Sequence, residues 1–141
     1  MRNCRIGAAI RVAMVLFVGC AKQQAADPGT GAREAAHDFL ISVVNQDWTH
    51  AYAVLHADSR RLVSSDQFAK LAQSYRQHLG FEPGTVMVRH CEENQGVATA
   101  HLTISGAAAN SHRQFKDALS LKRTAEGWKV EISPNFGKFR Q

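Results

Sequence analysis

The reading of the fold turns on TVMVRHCEE (85–93), followed by NQG (94–96) and VATAHLTIS (97–105). Apolar and polar residues alternate at period two in both nine-residue runs, the spacing of strands buried on one face. Asn94-Gln95-Gly96 is a three-residue connection ending in glycine, which suits a type I turn with a glycine bulge and predicts a β-hairpin. That register sets Val86 opposite Ile104, Val88 opposite Leu102 and His90 opposite Ala100. One face is then mostly apolar, while the other carries Met87, Arg89, Cys91, Thr99, His101 and Thr103. A slip by one residue would pair apolar with polar throughout, so the pattern selects its own register.

Downstream, a loose loop is expected over Gly106–Gln114, then a second hairpin. Its strands are Phe115–Arg123 and Trp128–Ser133 around Thr124-Ala125-Glu126-Gly127. Leu121 meets Val130 and Leu119 meets Ile132. Lys116, Lys122, Lys129 and Glu131 face away, with Lys122 directly opposite Lys129.

Upstream the period becomes helical. Ala32, Ala35, Ala36, Phe39, Leu40, Val43 and Val44 make one apolar stripe and predict a helix over Ala32–Asn45. Asp47 caps a short second helix, Trp48–His56, on which Trp48, Ala51, Tyr52 and Leu55 share a face. Ser64 with Gln67 forms a capping box for a third helix, which turns Phe68, Leu71, Ala72, Tyr75 and Leu79 inward and stops at Gly80. Helices followed by strands with one wet face argue an α+β fold, N-terminal helices packed on a curved antiparallel sheet.

The segment ahead of the helices reads as an address. Met1–Arg11 is basic, Val12–Val18 is apolar, and Gly19, Cys20 and Ala21 are small, which is the order of a secretory signal. The alternatives for its end are cleavage before Cys20 and an ordinary cut after Ala21 or Ala26. Ala21–Gly31 is small and polar and reads as a flexible tether. The expected organisation is therefore a signal over 1–19, Cys20 and a tether over 20–31, and one α+β domain over 32–141.

The charge agrees with that division. The chain has 141 residues, with 17 Lys and Arg against 12 Asp and Glu, a formal charge of +5. Arg2, Arg5 and Arg11 belong to the leader; 17 less those three leaves 14 basic against 12 acidic residues, a net +2. An excess that small gives no reason to expect a nucleic-acid partner, which needs clustered Lys and Arg. Three cysteines are too few for a disulfide scaffold. Cys4 would leave with the leader, and Cys91 reads as a small hydrophobe.

Two resemblances add to this. Phe17-Val18-Gly19-Cys20 resembles a bacterial lipobox, with Phe17 in place of the usual Leu. It implies lipidation of Cys20, a membrane partner through that anchor, and, with Ala21 rather than Asp next, the outer membrane facing the periplasm. Ala36-x-x-Phe39-Leu40 and Gln46-Asp47-Trp48-x-x-Ala51-Tyr52-x-x-Leu55 resemble the opening of the nuclear transport factor 2-like superfamily, and of small bacterial lipoproteins of unknown function within it. Leu119-x-Leu121-x-Arg123 and Gly127-Trp128-Lys129-Val130 are similar to their last hairpin. The resemblance implies a cone-shaped, cystatin-like sheet wrapped around helices with a pocket between, and in many members a homodimer. Members include isomerases, cyclases and dehydratases. The isomerases place an acidic base and a hydrogen-bond donor in the pocket, but their motif has no residue-by-residue match here.

The candidate pocket residues are Trp48, Tyr52, Tyr75, His90 and Asp117. The aromatic rings with polar tips suit a ligand wall, and equally a packed core. By alternation Asp117 shares the apolar face with Phe115, Leu119 and Leu121, where an unpaired carboxylate is costly; near the start of its strand it also fits a solvated rim. His90 and Glu92 share a face with it near the open end of the first hairpin. Of the seven histidines, only His90-Cys91-Glu92-Glu93 is dense, and alternation divides that run between two faces, so no metal site is expected. No cofactor motif is found. The expected function is a lipid-anchored envelope domain that binds a small apolar ligand or a protein partner. The alternatives are an isomerase, dehydratase or cyclase using Asp117 or His90, and a structural dimer.

Overall fold

In the computed structural model the described residues are 29–138. The expected leader (1–19), Cys20 and the tether up to residue 28 lie outside them. The described chain runs α1 (Ala32–Val44), α2 (Trp48–Ala53), α3 (Ala57–Leu62), α4 (Ser65–His78), β1 (Glu82–Asn94), β2 (Val97–Ala108), β3 (Ser111–Thr124) and β4 (Gly127–Glu131).

α1 buries the stripe read from its spacing: Ala32, Ala36, Phe39, Leu40, Val43 and Val44 are all in the core. The Asp47 carboxylate accepts the His50 N–H at 3.0 Å and starts α2. Both halves of the capping box on α4 form, Gln67 N–H to Ser64 Oγ at 3.3 Å and Ser64 N–H to Gln67 Oε1 at 3.0 Å.

The expected second helix ends early, at Ala53, and a further short helix, α3, follows. Between them the chain leaves the helix at Val54, and Leu55 bridges to Val130 so that this short segment lies along β4. His56 N–H donates to the Val130 carbonyl at 2.7 Å, and Val130 N–H donates to the Val54 carbonyl at 3.0 Å. An uncovered edge strand exposes a row of unmet backbone groups. Covering β4 satisfies two of them and buries Leu55 completely. The start of α3 was illegible because its cap is His56, whose ring Nδ1 accepts the Asp58 N–H at 3.2 Å.

The four strands form one antiparallel meander in the order β1-β2-β3-β4. Val86 pairs with Ile104 and Val88 with Leu102, as the alternation requires. Beyond Val88 the register shifts, and His90 pairs with His101 while Cys91 pairs with Ala100. The expected pairing of His90 with Ala100 is therefore corrected. Asn94 pairs directly with Val97, and the turn between them has two residues, Gln95 (φ 48°) and Gly96 (φ 83°), both in the left-handed region.

 The odd residue that was expected in the turn is instead absorbed as a bulge at Arg89. The physical reason is what the bulge does to the faces. It turns Cys91 inward against the core and sends His90 and Glu92 out to water, where a carboxylate carries no burial cost.

The expected loose loop over Gly106–Gln114 is also corrected. β2 and β3 stay paired as far as Ala108 and Ser111, around Ala109-Asn110. Gly106 is needed there, since a Cβ would sit 1.9 Å from the Glu82 carbonyl oxygen. In the last hairpin Leu121 pairs with Val130 and Lys122 with Lys129. The turn is tighter than expected, because Thr124 pairs with Gly127 across Ala125-Glu126. The ladder stops at Ser120 and Glu131, so Ile132 does not pair with Leu119; its N–H donates to Ser59 Oγ at 3.1 Å.

The sheet curls until its two outer strands meet one residue. Thr30 Oγ1 donates to Glu93 Oε2 on β1 at 2.6 Å and accepts the Trp128 indole N–H of β4 at 2.7 Å. That end of the cone is closed over α1. The other end opens where β4 leaves β3.

Candidate functional site

The short β4 creates the site. It accompanies only Ser120–Thr124 of β3, so among the described residues Ser111–Leu119 has β2 on one side and no strand on the other. The chain after β4 swings away through Ser133–Gly137 and returns Phe136 to the core. A cavity of about 510 Å³ lies in the gap. Its walls include Phe115 and Leu119 of β3, Ile132 and Phe136, with Asp58 and Leu62 of α3 at its border.

Tyr75 and Asp117 meet in this cavity. α4 points Tyr75 toward the sheet because its apolar positions repeat at helical spacing, and Asp117 sits on the inner face because it pairs with the buried Leu102. The Tyr75 hydroxyl donates to Asp117 Oδ2 at 2.6 Å. Asp117 Oδ1 accepts the N–H of Ala118 at 2.8 Å. The tyrosine ring stacks on Phe136, with centroids 5.0 Å apart, and meets the edge of Phe115 at 6.2 Å. Burial first, then the charge of Asp117 and the hydrogen bond to it, push the phenol far above its ordinary value, so it stays protonated.

The charged residues lining the cavity are all carboxylates: Asp58, Asp117 and Glu131. Lys122 meets two of them from the outer side of the sheet, Glu131 at 2.7 Å and Asp58 at 3.7 Å. The hydrogen bond to Glu131 raises the pKa of Lys122 and keeps it charged. Asp117 is half-buried and has no cation at ion-pair distance among the described residues. It is held by neutral donors alone.

The other three candidate residues lie elsewhere. Trp48 packs half-buried against the core. The Tyr52 hydroxyl donates to the Val63 carbonyl at 3.1 Å, and its ring sits 5.8 Å from Phe68. His90 is exposed on the outer face, its Nε2 3.2 Å from Glu92 Oε1 and its ring 6.3 Å from that of His101. Sequence reasoning missed α3 and the Ser133–Gly137 wall. The available signal for the wall was Phe136, an aromatic inside the turn-forming run Pro134-Asn135-Phe136-Gly137. Among the described residues no three His, Cys, Asp or Glu side chains are grouped to hold a metal ion.

No family model and no curated protein matches the chain. Solved structures do. A Campylobacter jejuni protein described as a "putative NTF2-like transpeptidase" superposes with a TM-score of 0.53 at 13% identity, over 71% of this chain and 96% of that one. RPA3114, a SEC-C motif containing protein from Rhodopseudomonas palustris, gives 0.51 at 8% identity, over 66% of this chain and 69% of that one. Identities this low carry the architecture and no chemistry. The chain has the nuclear transport factor 2-like fold: helices held in the curl of an antiparallel sheet, with a cavity at the open end.

Proposed function

We propose that the chain is a lipid-anchored protein of the bacterial cell envelope, tethered through Cys20 to the outer membrane and facing the periplasm. Its folded part binds a small, mostly apolar ligand in the cavity beside Tyr75 and Asp117. The observation that carries the binding reading is the cavity itself. Its volume of about 510 Å³ falls in the range of roughly 300–1,000 Å³ typical of ligand sites. Phe115, Leu119, Ile132 and Phe136 supply apolar wall, and the Tyr75–Asp117 pair with the carboxylates of Asp58 and Glu131 supplies the polar groups that would orient a ligand. The anchor rests on the basic, then apolar, leader and its terminal cysteine, and two or more acyl chains would hold it stably where one would not.

The fold is also one that hosts isomerases, dehydratases and cyclases, and Asp117 in a cavity suits a general base. The hydrogen bond from Tyr75 favours binding over that second reading. The phenol spends its single proton on Asp117 and so is not offered to a substrate oxygen.

Mass spectrometry of small molecules that copurify with the chain tests the binding reading. Ser133 is exposed at the cavity wall, so Ser133→Trp obstructs the space without touching the core. A ligand retained by the native chain and lost from this variant is expected. A native chain that carries nothing, or a variant that retains the same molecule, overturns it. Cys20→Ala is expected to lose palmitate labelling and to release the protein from the membrane; persistent labelling overturns the anchor.

A further inference from the structure

We infer that the ligand of the cavity beside Tyr75 and Asp117 is an organic cation: an apolar body carrying one ammonium group, with Asp117 taking the charge and Phe115 lying against it. This rests on the binding reading above and adds to it the sign of the ligand's charge. The cavity wall is short of one kind of residue. It holds Asp58, Asp117 and Glu131 and no lysine, arginine or histidine. Asp58 and Glu131 share Lys122, which meets them from the outer side of the sheet. Arg113, two positions before Phe115 on β3, lines a separate hollow with Glu82. Asp117 is therefore left with no ion-pair partner among the described residues.

The two donors that hold Asp117 are neutral: the Tyr75 hydroxyl on Oδ2 and the Ala118 N–H on Oδ1. They fix the carboxylate in place and use two of its roughly four lone-pair sites. The remaining sites are open to the N–H groups of a ligand. An ammonium adds direct Coulomb attraction, which a hollow in the protein screens less than open water does. The rings are a separate feature pointing the same way. Phe115 is half-buried and stands two residues from Asp117 on the same strand face, about 7 Å along the strand. Tyr75 stacks on Phe136 with centroids 5.0 Å apart and meets Phe115 at 88°. The face of an aromatic ring is negative, so a cation within about 6 Å of its centre is attracted to it. A carboxylate set among such rings attracts a cation by charge and by quadrupole, and it repels an anion. A neutral apolar ligand would gain from the rings alone and leave the charge of Asp117 uncompensated beside it.

Titration calorimetry of the full chain at neutral pH with probes that share one apolar body tests this: phenethylammonium, the neutral phenethyl alcohol and the anionic hydrocinnamate. The native chain is expected to bind the ammonium at least about tenfold more tightly than the alcohol, as a hydrogen bond between two ionised groups outweighs one with a neutral donor. Hydrocinnamate is expected to bind most weakly. Asp117→Asn keeps the shape of the side chain and is expected to erase the preference for the ammonium, a ratio that general weakening of the fold does not change. Ser133→Trp, which obstructs the cavity, is expected to abolish binding of the ammonium. Equal binding of ammonium and alcohol by the native chain overturns the inference, as do tighter binding of hydrocinnamate, a preference that survives Asp117→Asn, and undiminished binding by Ser133→Trp. A copurifying ligand that is neutral or acidic overturns the cation and leaves the binding reading standing. A native chain that carries no ligand and binds none of the three probes overturns both.

Discussion

The two ends of the cone are built from the same strand and behave differently. At the closed end β3 is flanked on both sides over Ser120–Lys122, Leu121 is fully buried, and Thr30 ties the outermost strands together. At the open end β3 is flanked on one side, and Phe115 and Asp117 remain half-exposed around a cavity. The difference comes from length: β3 has 14 residues and β4 has 5. Strand pairing and packing density end together, and a polar pair occupies the place where the core runs out.

The largest expected effect tests the packing contrast. Leu121→Ala is expected to cost about 2–5 kcal/mol in urea unfolding, the range for emptying a filled core site. Phe115→Ala, at the open end, is expected to cost less than about 2 kcal/mol, because a half-exposed ring forfeits less buried area. Equal costs would break the comparison.

Tyr75→Phe probes the polar pair. At neutral pH it is expected to cost about 1 kcal/mol, the net value of one hydrogen bond to a half-buried acceptor. The phenol's folded pKa lies above its unfolded value of 10.0, so the stability it contributes is intact below pH 10 and falls as pH rises beyond it. The loss is expected to reach at most about 1.4 kcal/mol per pH unit. The native chain should therefore lose its advantage over Tyr75→Phe in unfolding measured from pH 9 to 11. An advantage that persists unchanged across that window would place the phenol in an ordinary environment.

The smallest effect is expected on the outer face. His90→Ala should change stability by no more than about 0.5 kcal/mol, since the ring sits in water beyond the bulge. A larger loss by the same measurement would mean that the outer face contributes to holding the closed end.

Much of this was legible in the chain. The stripe on α1, the capping box at Ser64 and the pairs Val86–Ile104, Val88–Leu102 and Leu121–Val130 follow from period and capping chemistry, which are local. The inward position of Asp117 followed from the same alternation. The bulge at Arg89 was not legible. One extra residue can be placed in a turn or in a strand with the same count, and the choice depends on whether Cys91 or His90 finds the core behind it. The break between α2 and α3 was hidden for a similar reason: Val54–His56 has a helical pattern, and it gives up the helix to cover an edge strand about 75 residues later in the chain.

Periodicity, capping residues and turn chemistry determined the helices, the strands, the face each one buries and the class of fold. These are properties of neighbouring residues and need no knowledge of the rest. The tertiary structure decided where the ladder of β4 stops, and with it the cavity, the meeting of Tyr75 with Asp117 across 42 positions, and the uncovered edge of β3. Those depend on which distant segments compete for the same backbone groups and the same space, and a one-dimensional pattern does not contain the outcome of that competition.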